Sequence, residues 1–336
     1  MSENLNTTFQ LRPLSAALMV ALAAPVPAVC AQQEIQSNGS EQVLPAVPVY
    51  GQEENNYAAG IANAGGKAPT PIRDVPQSVM VINQAVLEAQ GATTLVEALR
   101  NAPGITLSAG EGGQIGDNVN IRGYSARTDL FLDGTRDRGQ YARETFFLES
   151  VEVLRGPSSM LFGRGSTGGV VNQVTKQANL RDSTEVGVGV GTEAYRRATV
   201  DINRKTSDTS AFRVSALTHN NESTRDITES ERAGVAGSLR FGIDTPTEIA
   251  VSAVIQRRED IPDYGVPVGV LGGEGTIESP GKPIATNRDN FYGFTDDIFE
   301  QDINVFGLRI KHEFSPTLSL RNQTQYNAAT IHAMPT

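Results

Sequence analysis

The sequence has no tryptophan, one cysteine and three histidines among 336 residues. The histidines (His219, His312, His332) stand far apart, so no zinc-ligand spacing exists. Beyond residue 31 no run of 18 apolar residues occurs, which excludes a membrane helix in that part. It does not exclude a membrane barrel, whose strands show only short alternating segments. Basic residues are outnumbered, 28 Lys+Arg against 38 Asp+Glu, for a net charge of -10. An acidic surface repels phosphate backbones, so no nucleic-acid partner is expected.

What is present begins with an export pattern. Arg12 precedes an apolar run over 14–24, Pro25 and Pro27 break it, and Val29-Cys30-Ala31 leads to a cut before Gln32. Residues 1–31 are therefore expected to be a signal peptide. Val29 is too bulky for a lipid-anchor site at Cys30. Past the cut no cysteine remains, so neither disulfides nor thiolate chemistry are expected.

Residues 32–66 are small and polar and cannot bury much apolar surface, which predicts a flexible tail. One island interrupts it: Val43, Leu44, Pro45, Ala46, Val47, Pro48, Val49 and Tyr50. Alternating Val and Pro keeps this stretch extended and unpaired. Such a segment can join the edge of a partner's sheet, or serve as an ordinary linker.

Residues 67–182 read as a compact α+β domain. A strand is expected over 75–82, with Asn83 capping a helix through Glu88. A second helix over 95–101 follows Thr94, and Glu97 completes a capping box. Thirteen glycines fall between Gly104 and Gly169, with short strands expected at 118–122, 130–132, 151–154 and 170–175.

From residue 183 the pattern changes to segments of alternating apolar and polar side chains, as in outer-membrane strands. They are 184–191, 195–204, 211–221, 233–243, 248–258, 302–314 and 317–328. In the fourth, Ala233, Val235, Leu239 and Phe241 share one face, with Ser238 and Arg240 opposite. A soluble β-sandwich also alternates, but leaves the glycine-rich domain unexplained. Residues 183–336 thus predict antiparallel transmembrane β-barrel strands, about seven of the roughly 22 that a plugged barrel needs. An open sheet is not tolerated by lipid, so a fragment or truncated product is expected.

Three runs carry a family resemblance. They are Asn120-Ile121-Arg122-Gly123-Tyr124, then Asp129-Leu130-Phe131-Leu132-Asp133-Gly134-Thr135-Arg136-Asp137, and a long stretch from Leu148 to Asn172 containing Val153-Leu154-Arg155-Gly156-Pro157-Ser158. Together they resemble the plug domain of TonB-dependent siderophore receptors, closely over 74–176 and loosely beyond. The spacing of 141–148, the run 262–267 and Asn290-Phe291-Tyr292-Gly293 are most similar to receptors for ferric monomeric catechols.

The resemblance implies a plugged outer-membrane barrel that imports ferric siderophores, with the TonB complex pulling on a short N-terminal box. Residues 43–49 stand where that box belongs, although Pro48 departs from its commonest form. The partners implied are TonB with its inner-membrane motor, a ferric siderophore and outer-membrane lipid. Iron would travel inside the ligand, and no cofactor is expected. Arg122 and Arg155 match two plug arginines that pair with barrel glutamates. The family's apical loops correspond to 109–118, 125–128 and 137–143. Among their residues Gln114, Arg127, Arg138, Gln140 and Tyr141 suit an anionic, flat, aromatic ligand.

Other readings fare worse. Gly163-Arg164-Gly165-Ser166-Thr167-Gly168 has dinucleotide-fingerprint spacing, but the residues that follow are β-branched, not helical. No nucleophile elbow is present, and no enzyme is expected. Import of haem, cobalamin or a glycan on the same architecture stays open, as do a non-functional truncated receptor and a secreted plug living alone. Signalling would need a further periplasmic domain, for which only 11 residues separate Gln32 from Val43.

Overall fold

The computed structural model describes residues 57–63, 70–107, 116–263, 265–266, 268–269, 282–283 and 287–334. The leading domain opens with a short antiparallel pair, β1 (Ile61–Ala62) and β2 (Thr70–Pro71), and one 3-10 turn, Ile72–Asp74. Then come β3 (Ser78–Asn83), α1 (Gln84–Ala89), α2 (Leu95–Leu99), β4 (Ile105–Leu107), β5 (Val119–Ile121) and β6 (Tyr124–Ser125). β7 (Leu130–Leu132), β8 (Thr135–Arg136), β9 (Leu148–Arg155), α3 (Ser159–Phe162) and β10 (Gly169–Thr175) complete it.

Both expected helix starts are present. Val86 N–H donates to Asn83 Oδ1 at 3.0 Å. Glu97 N–H donates to Thr94 Oγ1, and Thr94 N–H returns a bond to Glu97 Oε2 at 3.1 Å. Burial by itself would raise the Glu97 carboxyl. Bonds from the Thr93 hydroxyl and from the Thr93 and Thr94 amides outweigh it and hold the group below its ordinary range. The cap's stability is therefore complete above the unfolded carboxylate range, near pH 4, and is lost as pH falls through the lowered folded value. Thr94→Ala is expected to cost about 1 kcal/mol, read as roughly fivefold faster hydrogen exchange of the α2 amides; unchanged exchange would refute the cap.

The central sheet has strand order β3-β9-β10-β7-β8, antiparallel except between β10 and β7. β9 lies in its interior and buries Val151, Val153 and Leu154 completely. A second sheet joins β4, β5 and β6.

The remaining strands are β11 (Ser183–Val190), β12 (Arg196–Ser207), β13 (Ser210–Glu222), β14 (Glu229–Phe241) and β15 (Thr247–Asp260). A minor pair, β16 (Val268–Gly269) and β17 (Lys282–Pro283), precedes β18 (Ile298–Ser315) and β19 (Leu318–Met334). Seven of these form one antiparallel meander, β11-β12-β13-β14-β15-β18-β19. All seven expected strands are there, but most run longer. β18 reaches 18 residues and β19 reaches 17, against about 10 for a bilayer crossing. Apolar alternation marks only part of each strand. Ladder pairing such as Glu231 with Glu259 continues where both faces are polar.

The meander has an outer apolar face and an inner mixed one. Val235, Leu239 and Phe241 point outward, while Ala236 and Ser238 are buried against the leading domain. Leu217, Ala236, Val254, Ile303 and Val305 from the sheet share one hydrophobic cluster with Ile82, Leu95, Ile121, Leu148 and Val153 of that domain. The two parts are thus packed around one common core. Among the described residues no helix is long and apolar enough to cross a membrane, which says nothing of strands.

Candidate functional site

One end of the leading domain is built by the loop before β5, the loop after β6 and the segment between β8 and β9. Arg143 joins them. It is 1% exposed and donates through Nη1 to Asp117 at 3.1 Å, and through Nε and Nη2 to Asp137 at 3.0 and 2.9 Å. Its remaining capacity goes to the carbonyls of Tyr141 and Gly139 at 2.9 and 2.8 Å. A planar five-donor fork can serve four acceptors at once, which an ammonium cannot. Two carboxylates face one guanidinium, so an excess negative charge is buried. Burial pushes the Asp117 carboxyl up even though Arg143 opposes it.

The same segment is gripped by the sheet. Ala142 N–H donates to Gln301 Oε1 at 2.9 Å. Its carbonyl accepts from Gln256 Nε2 and Gln301 Nε2, each at 2.9 Å. The buried Glu144 takes Arg197 on one carboxylate oxygen at 3.0 Å and Arg232 on the other at 2.9 Å. The Phe146 ring covers Gly234, where a Cβ would lie 2.8 Å from the ring. Further down, Lys176 and Arg213 both pair with Asp201 at 2.8 Å, and Arg240 donates to the Ala178 carbonyl.

Of the residues expected to contact ligand, three lie on these loops and two of them touch. Arg127 donates to Gln140 Oε1 at 2.5 Å, and the exposed Arg138 stands two residues from Gln140. Tyr141 requires correction. Its ring is buried beneath the Arg143 guanidinium at 3.9 Å, and its hydroxyl donates to Asp137 at 2.5 Å. Burial pushes its hydroxyl up, away from ionisation. Tyr141 was expected at the ligand because its residue type suits a flat aromatic complex, but Arg143 offers its face, and Asp137 its hydroxyl, a partner inside the protein. Gln114 and residues 43–49 lie outside the described residues. Among the described residues no three metal-ligating side chains gather.

Residues 71–170 match the family model described as the TonB-dependent Receptor Plug Domain. The probable TonB-dependent siderophore receptor PiuA of Acinetobacter baumannii is 36% identical over 289 residues, covering 84% of this chain and 38% of the relative. The catecholate siderophore receptor Fiu of Escherichia coli K12 is 32% identical, over 79% of this chain and 36% of the relative. The crystal structure of PiuA superposes with a TM-score of 0.76, covering 84% of this chain and 40% of that one. This chain carries the plug and first wall strands of a TonB-dependent receptor. It spans about two-fifths of the length of these relatives. The closed form of Fiu, 29% identical, gives a TM-score of 0.75 over 83% of this chain and 40% of that chain.

Within the plug, Arg122 and Arg155 come close together. Arg122 Nη1 lies 3.7 Å from where a Gly156 Cβ would stand, next to Arg155. Arg155 Nη2 rests on Met80 Sδ, and its buried Nε has no hydrogen-bond partner. Among the described residues neither arginine forms an ion pair. Sequence reasoning missed Arg143, Glu144 and the wall arginines. Glu144 is 53 and 88 residues from its partners, a separation that no local pattern reports. One signal was available: Arg197 and Arg232 occupy inward positions of alternating strands, where a charge needs a plug partner.

Proposed function

We propose that this chain is the N-terminal part of an outer-membrane receptor that imports ferric siderophores, of the catecholate type, with energy delivered through TonB. The observation that carries the reading is the seating of the plug. Its core is continuous with the wall, and its upper loop is bonded to β12, β14, β15 and β18, so ligand has no passive route on this side. Passage therefore requires work on the plug. The names of PiuA and Fiu, a siderophore receptor and a catecholate receptor, support the choice of cargo.

Arg127, Arg138 and Gln140, with Gln114, offer charge and flat stacking to an anionic aromatic complex. Arg122 and Arg155 latch onto acidic groups of the wall. Residues 43–49 add as a strand to TonB on the periplasmic side, where the plug also faces. Outward residues such as Val235, Leu239 and Ile255 contact outer-membrane lipid. Iron enters as cargo, and the receptor needs no resident cofactor.

Deleting residues 43–49 is expected to leave ferric-catechol binding intact in outer membranes and to abolish its uptake by energised cells. Undiminished uptake would overturn the coupling. In a fluorescence-quenching titration, equal or tighter binding of ferrichrome-type hydroxamates would overturn the catecholate choice.

A further inference from the structure

We propose that Glu144 is a positioning residue, and that its clasp by Arg197 and Arg232 fixes the ligand-contacting loops to the barrel wall. The inference rests on the receptor reading above and assigns the ion pairs a role within it. Its polarity is opposite to the latch expected at Arg122 and Arg155: the acid belongs to the plug and the two bases to the wall.

The wall is built to receive this acid. Arg197 on β12, His219 on β13 and Arg232 on β14 are direct cross-strand neighbours facing inward. The row continues through Arg258 on β15 and Gln301 on β18. Guanidiniums at this spacing repel one another unless an anion lies between them. Glu144, 1% exposed, supplies it and divides its two oxygens between two strands. A carboxylate held from two directions is fixed in position as well as in charge.

Three consecutive residues then connect wall to ligand loops. Ala142 is held through both backbone groups by Gln256 and Gln301. Arg143 turns the other way and binds Asp117 and Asp137. Glu144 returns to the wall. The backbone of the segment is tied to the plug helices as well, with Leu95 N–H donating to the Arg143 carbonyl and Thr145 N–H to that of Thr93. Arg127, Arg138 and Gln140 therefore take their positions from the wall through a path of few rotatable bonds. Gly116 packs against the Gln140 backbone so closely that a Cβ would meet it at 2.6 Å, so the first apical loop moves with the third.

The test uses the receptor in outer-membrane vesicles, with spin labels at Thr128→Cys on an apical loop and Thr218→Cys on the outer face of β13. Glu144→Gln is expected to broaden the label-to-label distance distribution without ligand and to weaken ferric-catechol binding about tenfold, within the range of coupling between linked sites. Arg232→Gln should do the same. The double variant should be no worse than Glu144→Gln alone, as two ends of one interaction require. An unchanged distribution in Glu144→Gln, or strictly additive losses in the double variant, overturns the proposal. If Glu144→Gln fails to reach the membrane, Glu144→Asp keeps the charge but retracts it by one methylene, and a broadened distribution is read in its place. Should the unaltered receptor bind no ferric catechol, the cargo reading falls while the label distances still decide the anchor.

Discussion

Replacing Arg143 by Met is expected to cost about 3–5 kcal/mol, the usual result of removing one partner from a buried ionic cluster. Met fills the space but leaves two carboxylates and the carbonyls of Gly139 and Tyr141 without their donor. The repulsion between Asp117 and Asp137, now uncompensated, separates the first and third apical loops. Hydrogen exchange across residues 116–118 and 137–143 reads the effect directly; protection equal to that of the unaltered receptor would refute the role. Arg143→Lys should recover only part of the loss, because one ammonium cannot span both acids. Asp117→Asn should be milder than either, since it removes the excess charge and leaves Asp137 as counter-ion. The pH dependence follows from the raised Asp117 carboxyl. A raised folded value makes this group destabilising at neutral pH, and the penalty is relieved as pH falls through that value. Mild acid should therefore tighten the apex through Asp117, the reverse of its effect on the Glu97 cap.

Gly169→Ala is expected to keep the receptor from accumulating with a folded plug, at a cost above about 3 kcal/mol from overpacking and backbone strain together. Gly169 begins β10 at φ +147, and an added Cβ would stand 2.2 Å from the Leu154 carbonyl oxygen and 3.1 Å from Arg155 Cα. Both are backbone atoms of β9, inside the central sheet, and cannot swing aside. Gly163→Ala is the control. Its φ is also positive, at +80, but nothing lies within 4 Å, so only backbone strain of about 1–3 kcal/mol is at stake, without overpacking. Protease resistance of the plug should collapse for the first variant and survive in the second. Equal resistance would show that the close approach is not limiting.

Much of this architecture was legible in the residues themselves. The Asn83 and Thr94 caps were readable because a cap is a local bond across three residues. The wall strands were readable because their outer face is apolar with a period of two. Ladder pairing continues past that apolar pattern, so β14 begins at Glu229, earlier than the pattern suggests. The site was less legible. Tyr141 has the residue type of a ligand contact and the placement of a core residue, because Arg143, two residues on, covers its ring and Asp137, four residues back, takes its hydroxyl, a geometry that the loop's backbone path decides. Glu144 gave no signal, because its meaning depends on two strands yet to be synthesised when it is made.

The common hydrophobic cluster has a consequence for how the molecule comes apart. Beside a small cluster of its own around Phe131, Leu154, Phe162 and Val170, the stopper's main interior is shared: Leu217, Ala236, Val254, Ile303 and Val305, all made after it, complete it. Until its sleeve wraps it, that surface stays wet, and the first-made half remains incompletely ordered. Stopper and sleeve should then gain and lose their order in a single cooperative step.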